Sequence, residues 1–105
     1  MTDLSPDGWD EMKKKDLEIQ LQRIQNFKDP DPALEQYMTP SVIATDILFD
    51  AYSKGDVEGL KIVDLGCGTG MFSIGSWLLG ATQVIGFDIS GSALEVAESN
   101  RRGFG

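Results

Sequence analysis

The chain has 105 residues, 41% apolar and 25% charged, which describes one globular domain that is neither disordered nor fibrous. Its net charge of −8 disfavours a stand-alone nucleic-acid binder, because neutralising phosphates takes surplus Lys and Arg. It contains no His, which removes His-based acid–base chemistry, His-ligated zinc and Ser-His or Cys-His nucleophile pairs from these residues.

In chain order, MTDLSPDGWDE is polar and acidic, unlike a secretory signal, so the expected compartment is the cytoplasm. Residues 1–8 read as a disordered leader. No apolar run reaches the ~18 residues a membrane span requires. From Trp9 to Gln25, Leu17, Leu21, Ile24 and Phe27 recur at helical spacing and predict an amphipathic helix. Asp29-Pro30-Asp31-Pro32 stops it, since each proline biases the residue before it out of the helical region; an extended surface connector is expected. Thr39 suits an N-cap and Pro40 the first position of a second helix. That helix is expected to reach Ser53, to bury Val42, Ile43, Ile47, Leu48, Ala51 and Tyr52, and to stop at Gly55. The basic residues Lys13 to Lys15, Arg23, Lys28, Arg101 and Arg102 read as solvated helix faces.

Leu60 to Asp64 is apolar and β-branched, as a strand buried on both faces should be. A helix is predicted over Thr69 to Leu79, a second strand over Gln83 to Phe87, and a helix over Ser90 to Asn100 capped by Ser90. The organisation is thus a leader (1–8), helices with their connector (9–59), and one β-α-β-α unit (60–105) with the usual right-handed crossover. Two parallel strands leave both sheet edges open. Either the chain is part of something longer, or another copy or another chain completes the sheet.

Between the strands lies Asp64-Leu65-Gly66-Cys67-Gly68-Thr69-Gly70-Met71. A turn that leaves a strand and enters a helix within a few residues needs positive φ, which glycine adopts at little cost, and lets backbone approach a ligand. A dinucleotide fingerprint, Gly-x-Gly-x-x-Gly, would need glycine where Met71 stands, which disfavours a nicotinamide-dependent oxidoreductase. The S-adenosylmethionine loop, Asp/Glu-x-Gly-x-Gly-x-Gly, is matched at every fixed position. Asp88 follows at the tip of the second strand, placed to accept both ribose hydroxyls. Asp64 is placed to receive the loop amides or the methionine ammonium, and the amides of Thr69 to Met71 are placed for the methionine carboxylate. Ile89 either packs on adenine or joins the core. Met71, Phe72 and Trp77 read as core-facing, with Met71 the one nearest a ligand. Cys67, the only cysteine, lacks a neighbouring base and reads as a small loop residue in place of a nucleophile.

These residues resemble class I methyltransferases of Rossmann-like α/β fold. LEQYMTP, VDLGCGTGMFSIGSWLLGA and VIGFDIS together look most like the methyltransferase-like protein 5 family, which modifies the exocyclic amine of an adenine in small-subunit ribosomal RNA. The resemblance covers residues 16–100 and corresponds to the N-terminal part of that fold, with the sheet incomplete. It implies S-adenosylmethionine as cofactor, with contacts at Gln36, Thr39, Gly66, Thr69, Met71 and Asp88. The turn itself adds Asp64, Gly68 and Gly70 to the candidate site, and the end of the second strand adds Ile89.

Met38 stands where the family has proline. The family's Asn-Pro-Pro-aromatic motif, which holds the target amine and stacks on the flipped base, is not in these residues. The resemblance therefore implies the cofactor-binding portion of an RNA methyltransferase, inactive by itself, with no catalytic residue. It also implies a possible partner at the open sheet edge: a small zinc-binding activator protein, or self-association. A non-catalytic binding module that completes its sheet with a partner chain is the alternative.

Overall fold

A computed structural model describes residues 6–27 and 38–104. The elements are α1 (Pro6–Leu21), α2 (Ser41–Ser53), β1 (Lys61–Leu65), α3 (Met71–Leu78), β2 (Gln83–Phe87) and α4 (Gly91–Arg102). β1 and β2 pair in parallel with Lys61 opposite Gln83 and Leu65 opposite Phe87. Their carboxyl ends are therefore level, and both lead into loops on one side of the sheet.

One sheet face is packed and the other is open. Ile62 and Val84 lie against the core under α3. Val63, Leu65, Ile85 and Phe87, on the opposite face by the two-residue period of a strand, are exposed, Leu65 by 80%. The expectation of strands buried on both faces is thus corrected among the described residues. The residues are right for a doubly covered sheet, but only one layer of helices covers it here.

α1 begins at Pro6, so the stretch expected as leader is helical from there on, and it ends at Leu21 instead of Gln25. Leu17, Leu21 and Ile24 are buried as their spacing implied. Ile24 and Phe27, however, lie beyond the helix, in irregular chain that follows a turn at Gln22 and Arg23. The connector predicted over Asp29 to Pro32, and the Glu35 to Tyr37 stretch, lie outside the described residues.

α2 is where the expected packing fails. Val42, Ile43 and Ile47 are exposed, while Ala44, Thr45, Leu48 and Phe49 are buried. The helix carries apolar residues around most of its circumference, so periodicity cannot select the inward stripe. Close approach to α3 selects it: Gly75 sits opposite Leu48, and a Cβ on Gly75 would collide with that side chain. Thr39 is not the cap. Pro40 occupies the N-cap position in a non-helical conformation and its carbonyl accepts from the Ala44 amide at 3.0 Å, with no side-chain cap. Gly55, at φ +80°, follows the helix as predicted. Trp77 is 49% exposed, against its expected place in the core, whereas Phe72 packs partly on it.

Candidate cofactor site

The turn from β1 to α3 is built from three left-handed glycines, Gly66 (φ +71°), Gly68 (φ +54°) and Gly70 (φ +90°). A side chain at Gly70 would add steric strain and lie 3.3 Å from Ile74. Backbone bonds close the turn: the Cys67 amide donates to the Phe87 carbonyl at 2.8 Å, and the Gly70 amide to the Cys67 carbonyl at 2.9 Å. The first of these fastens the loop to the end of β2. Around Gly66, an added Cβ would meet nothing within 4 Å, so this part of the backbone stays approachable.

Asp88 locks the two strand ends together. One carboxylate oxygen accepts the Gly68 amide at 2.9 Å and the other accepts the Ser90 amide at 2.9 Å. A carboxylate offers about four lone-pair sites, so each oxygen keeps one for a further donor. The bidentate role expected from the sequence thus shares its oxygens with a structural one that the sequence did not disclose. Ser90 in turn caps α4, accepting the Ala93 amide at 3.3 Å.

Asp64 accepts the Ser73 hydroxyl from α3 at 2.7 Å, and no bond joins it to the loop amides that were expected to donate to it. Side chains leave β1 alternately, and Asp64 falls on the face that α3 covers, so its nearest donor is on that helix. Thr69 is buried, and the Met71 side chain is 3% exposed within the core. What these two residues leave toward the loop is backbone, at an α3 N-terminus with no side-chain cap. Ile89 is 89% exposed beside Asp88, which removes it from the core. Thr39 is half-buried, and Gln36 lies outside the described residues.

Cys67 is buried and unpaired. Burial first, then the charges of Asp64 and Asp88, push its thiol above the ordinary 9.0, so it stays protonated and is no nucleophile at neutral pH.

Sequence reasoning missed Asn100. It is 7% exposed and bonds only backbone: it accepts the Gln25 amide (2.9 Å) and donates to the carbonyls of Gln25 (3.0 Å) and Thr69 (2.9 Å). The one signal available was a polar residue inside a helix whose other polar positions repeat as a solvated face.

A left-handed glycine turn between a strand and a helix, tied to an acid at the tip of the adjacent parallel strand, defines a Rossmann-like cofactor unit of the class I methyltransferase type. Residues 41–103 match the family model described as ribosomal protein L11 methyltransferase (PrmA), and the chain belongs to that methyltransferase family. It is 42% identical over 90 residues to the Drosophila melanogaster rRNA N(6)-adenosine-methyltransferase Mettl5, covering 85% of this chain and 42% of the relative. A crystal structure of a proposed RNA methyltransferase from Pyrococcus horikoshii superposes with a TM-score of 0.83 at 44% identity, covering 88% of this chain and 46% of that one. The ribosomal protein L11 methyltransferase of Thermotoga petrophila is 49% identical over 45 residues, covering 43% of this chain and 17% of that protein. The chain thus spans less than half the length of the relatives that match most of it.

Proposed function

We propose that these residues form the S-adenosylmethionine-binding portion of an RNA adenine-N6 methyltransferase, with ribosomal RNA as the substrate of the whole protein. The observation that carries the reading is Asp88 bonded to the Gly68 amide across the two strand ends. It sets a carboxylate with spare acceptor capacity at a glycine turn whose Gly66 backbone is approachable. The donor and acceptor chemistry fits the cofactor: Asp88 for the ribose diol, the Thr69 and Met71 amides at the uncapped entry to α3 for the methionine carboxylate (the Gly70 amide being bonded to Cys67), and exposed Ile89 for the adenine face.

Gly66, Gly68 and Gly70 shape the wall. Asp64, oriented by the Ser73 hydroxyl, would be the acceptor for the ammonium. By the family resemblance, Gln36 and Thr39 would add contacts to the cofactor. When bound, the sulfonium supplies an electrophilic methyl group. The chain's own part is to hold the ribose and methionine ends so that this methyl is presented at one fixed place.

The choice of RNA over protein as substrate class follows the extent of similarity. The Drosophila rRNA enzyme matches 90 residues, including the stretch before β1, whereas the L11 enzyme matches 45. With an acidic chain of net charge −8, attraction to RNA has to come from elsewhere in the whole protein or from a partner. The open sheet edge is where a small zinc-binding activator or a second copy would add. No described helix is long and apolar enough to cross a membrane, and a cytoplasmic setting suits the reading.

Calorimetry tests it. S-adenosylmethionine should bind and NADH should not, and the 105 residues alone should transfer no methyl group to ribosomal RNA. Binding of NADH with no heat from S-adenosylmethionine would replace the reading with a nicotinamide enzyme.

A further inference from the structure

The end of α4 clasps a segment that lies 75 or more residues away in sequence. Asn100 holds the Gln25 backbone on both its amide and its carbonyl. One turn further on, the Arg23 guanidinium donates to the Gly103 carbonyl at 2.6 Å and lies over the Phe104 ring at 4.4 Å. From the same segment Phe27 reaches the glycine turn: a Cβ on Gly68 would lie 3.1 Å from its ring. The clasp is thus joined to the cofactor loop on two sides, through the Phe27 ring and through the bond from Asn100 to Thr69.

Asn100 uses both of its amide hydrogens and its carbonyl oxygen in this arrangement, and it is buried, so none of the three bonds is readily replaced by water. The bond to Thr69 has a particular consequence. A peptide unit is planar, so fixing the direction of the Thr69 carbonyl fixes the direction of the Gly70 amide that closes the turn on Cys67.

We infer that Asn100 is a positioning residue for the cofactor site, setting the glycine turn and docking residues 23–27 onto it. It touches no cofactor itself; it acts through Thr69 and Gln25. The inference rests on the cofactor assignment proposed above for its functional meaning, while the clasp itself can be measured with no ligand present. It also ties the Arg23 to Phe27 segment to the glycine turn.

The test uses the 105-residue chain with S-adenosylhomocysteine as probe and amide hydrogen exchange as the second readout. Asn100→Ala should weaken binding by about tenfold or more, within the usual range for coupled sites. It should also raise exchange at the Gln25, Gly68 and Gly70 amides while the β1 and β2 amides stay protected. Asn100→Asp keeps an acceptor for the Gln25 amide but loses both donors. In that variant Gln25 should stay protected while the loop amides open and affinity falls. This pattern separates positioning from bulk destabilisation, and it remains readable if the alanine variant does not fold.

Arg23→Ala releases the segment without touching Thr69 and should cost less affinity than either Asn100 variant. Loop exchange and affinity unchanged in Asn100→Asp would overturn the inference, as would an equal rise in exchange across both strands. Should the wild-type chain bind no S-adenosylhomocysteine, the cofactor reading fails and Asn100 has no cofactor site to position. The exchange pattern would then show only whether the clasp exists.

Discussion

Replacing Asp88 tests the proposed site most directly, because this side chain carries a structural load and, in the proposed function, a ligand-binding one as well. In the free protein its oxygens accept the Gly68 and Ser90 amides at 2.9 Å each. Hydrogen bonds to a charged group contribute about 1.5–3 kcal/mol each. Asp88 is half-buried, so water reaches the abandoned amides and the lower end applies: Asp88→Ala should cost about 3 kcal/mol of stability. The ribose hydroxyls would lose two further charge-assisted bonds, again at about 1.5 kcal/mol each, so affinity for S-adenosylhomocysteine should fall about 100-fold.

Asp88→Asn separates the two loads. Its oxygen keeps one amide, while its NH₂ faces the other amide as donor against donor. It should therefore be destabilised by less than the alanine variant and still lose most of the affinity. Isothermal titration calorimetry and urea denaturation on the same samples give both numbers. If Asp88→Ala bound S-adenosylhomocysteine as tightly as wild type while losing stability, Asp88 would be a loop strut alone, and the cofactor assignment would lose its main support.

Three further outcomes follow from the packing and the charges. Gly68→Ala should cost about 1–2 kcal/mol in urea denaturation, because a left-handed φ is unfavourable with a side chain and the Phe27 ring must give way; wild-type stability would mean the turn is not held in this shape. Gly75→Ala should destabilise by about 1–3 kcal/mol through overpacking against Leu48, offset only in part by the better helix propensity of alanine. In a Leu48→Ala background the same change should be neutral or stabilising, and an equal effect in both backgrounds would remove the proposed α2–α3 contact. For Cys67 the folded thiol holds its proton to a higher pH than the unfolded one, so its contribution to stability is complete below 9.0 and is lost as pH rises through the folded value. Urea midpoints at pH 8 and pH 10 should therefore fall more steeply for wild type than for Cys67→Ser, and parallel falls would contradict this.

The cofactor unit was legible in the sequence because its determinants are local. Positive φ at Gly66, Gly68 and Gly70 follows from residue type and spacing, and so do the acids at the strand ends, the Ser90 cap and the length of β2. The family resemblance rested on the same short-range patterns. Only the tertiary structure decided what depends on which surfaces meet. α2 buries Ala44, Leu48 and Phe49 because Gly75 lets α3 approach that side, and an apolar helix offers several stripes among which periodicity does not choose. Asp64 turns to Ser73 on the helix packed against its strand, and Asp88 accepts the Gly68 amide across the ends of the two paired strands. Asn100 looks like any polar helix residue until folding brings Gln25 and Thr69 to either side of it. A buried amide flanked by backbone from two distant segments is a property of the assembled fold, and no window of sequence contains it.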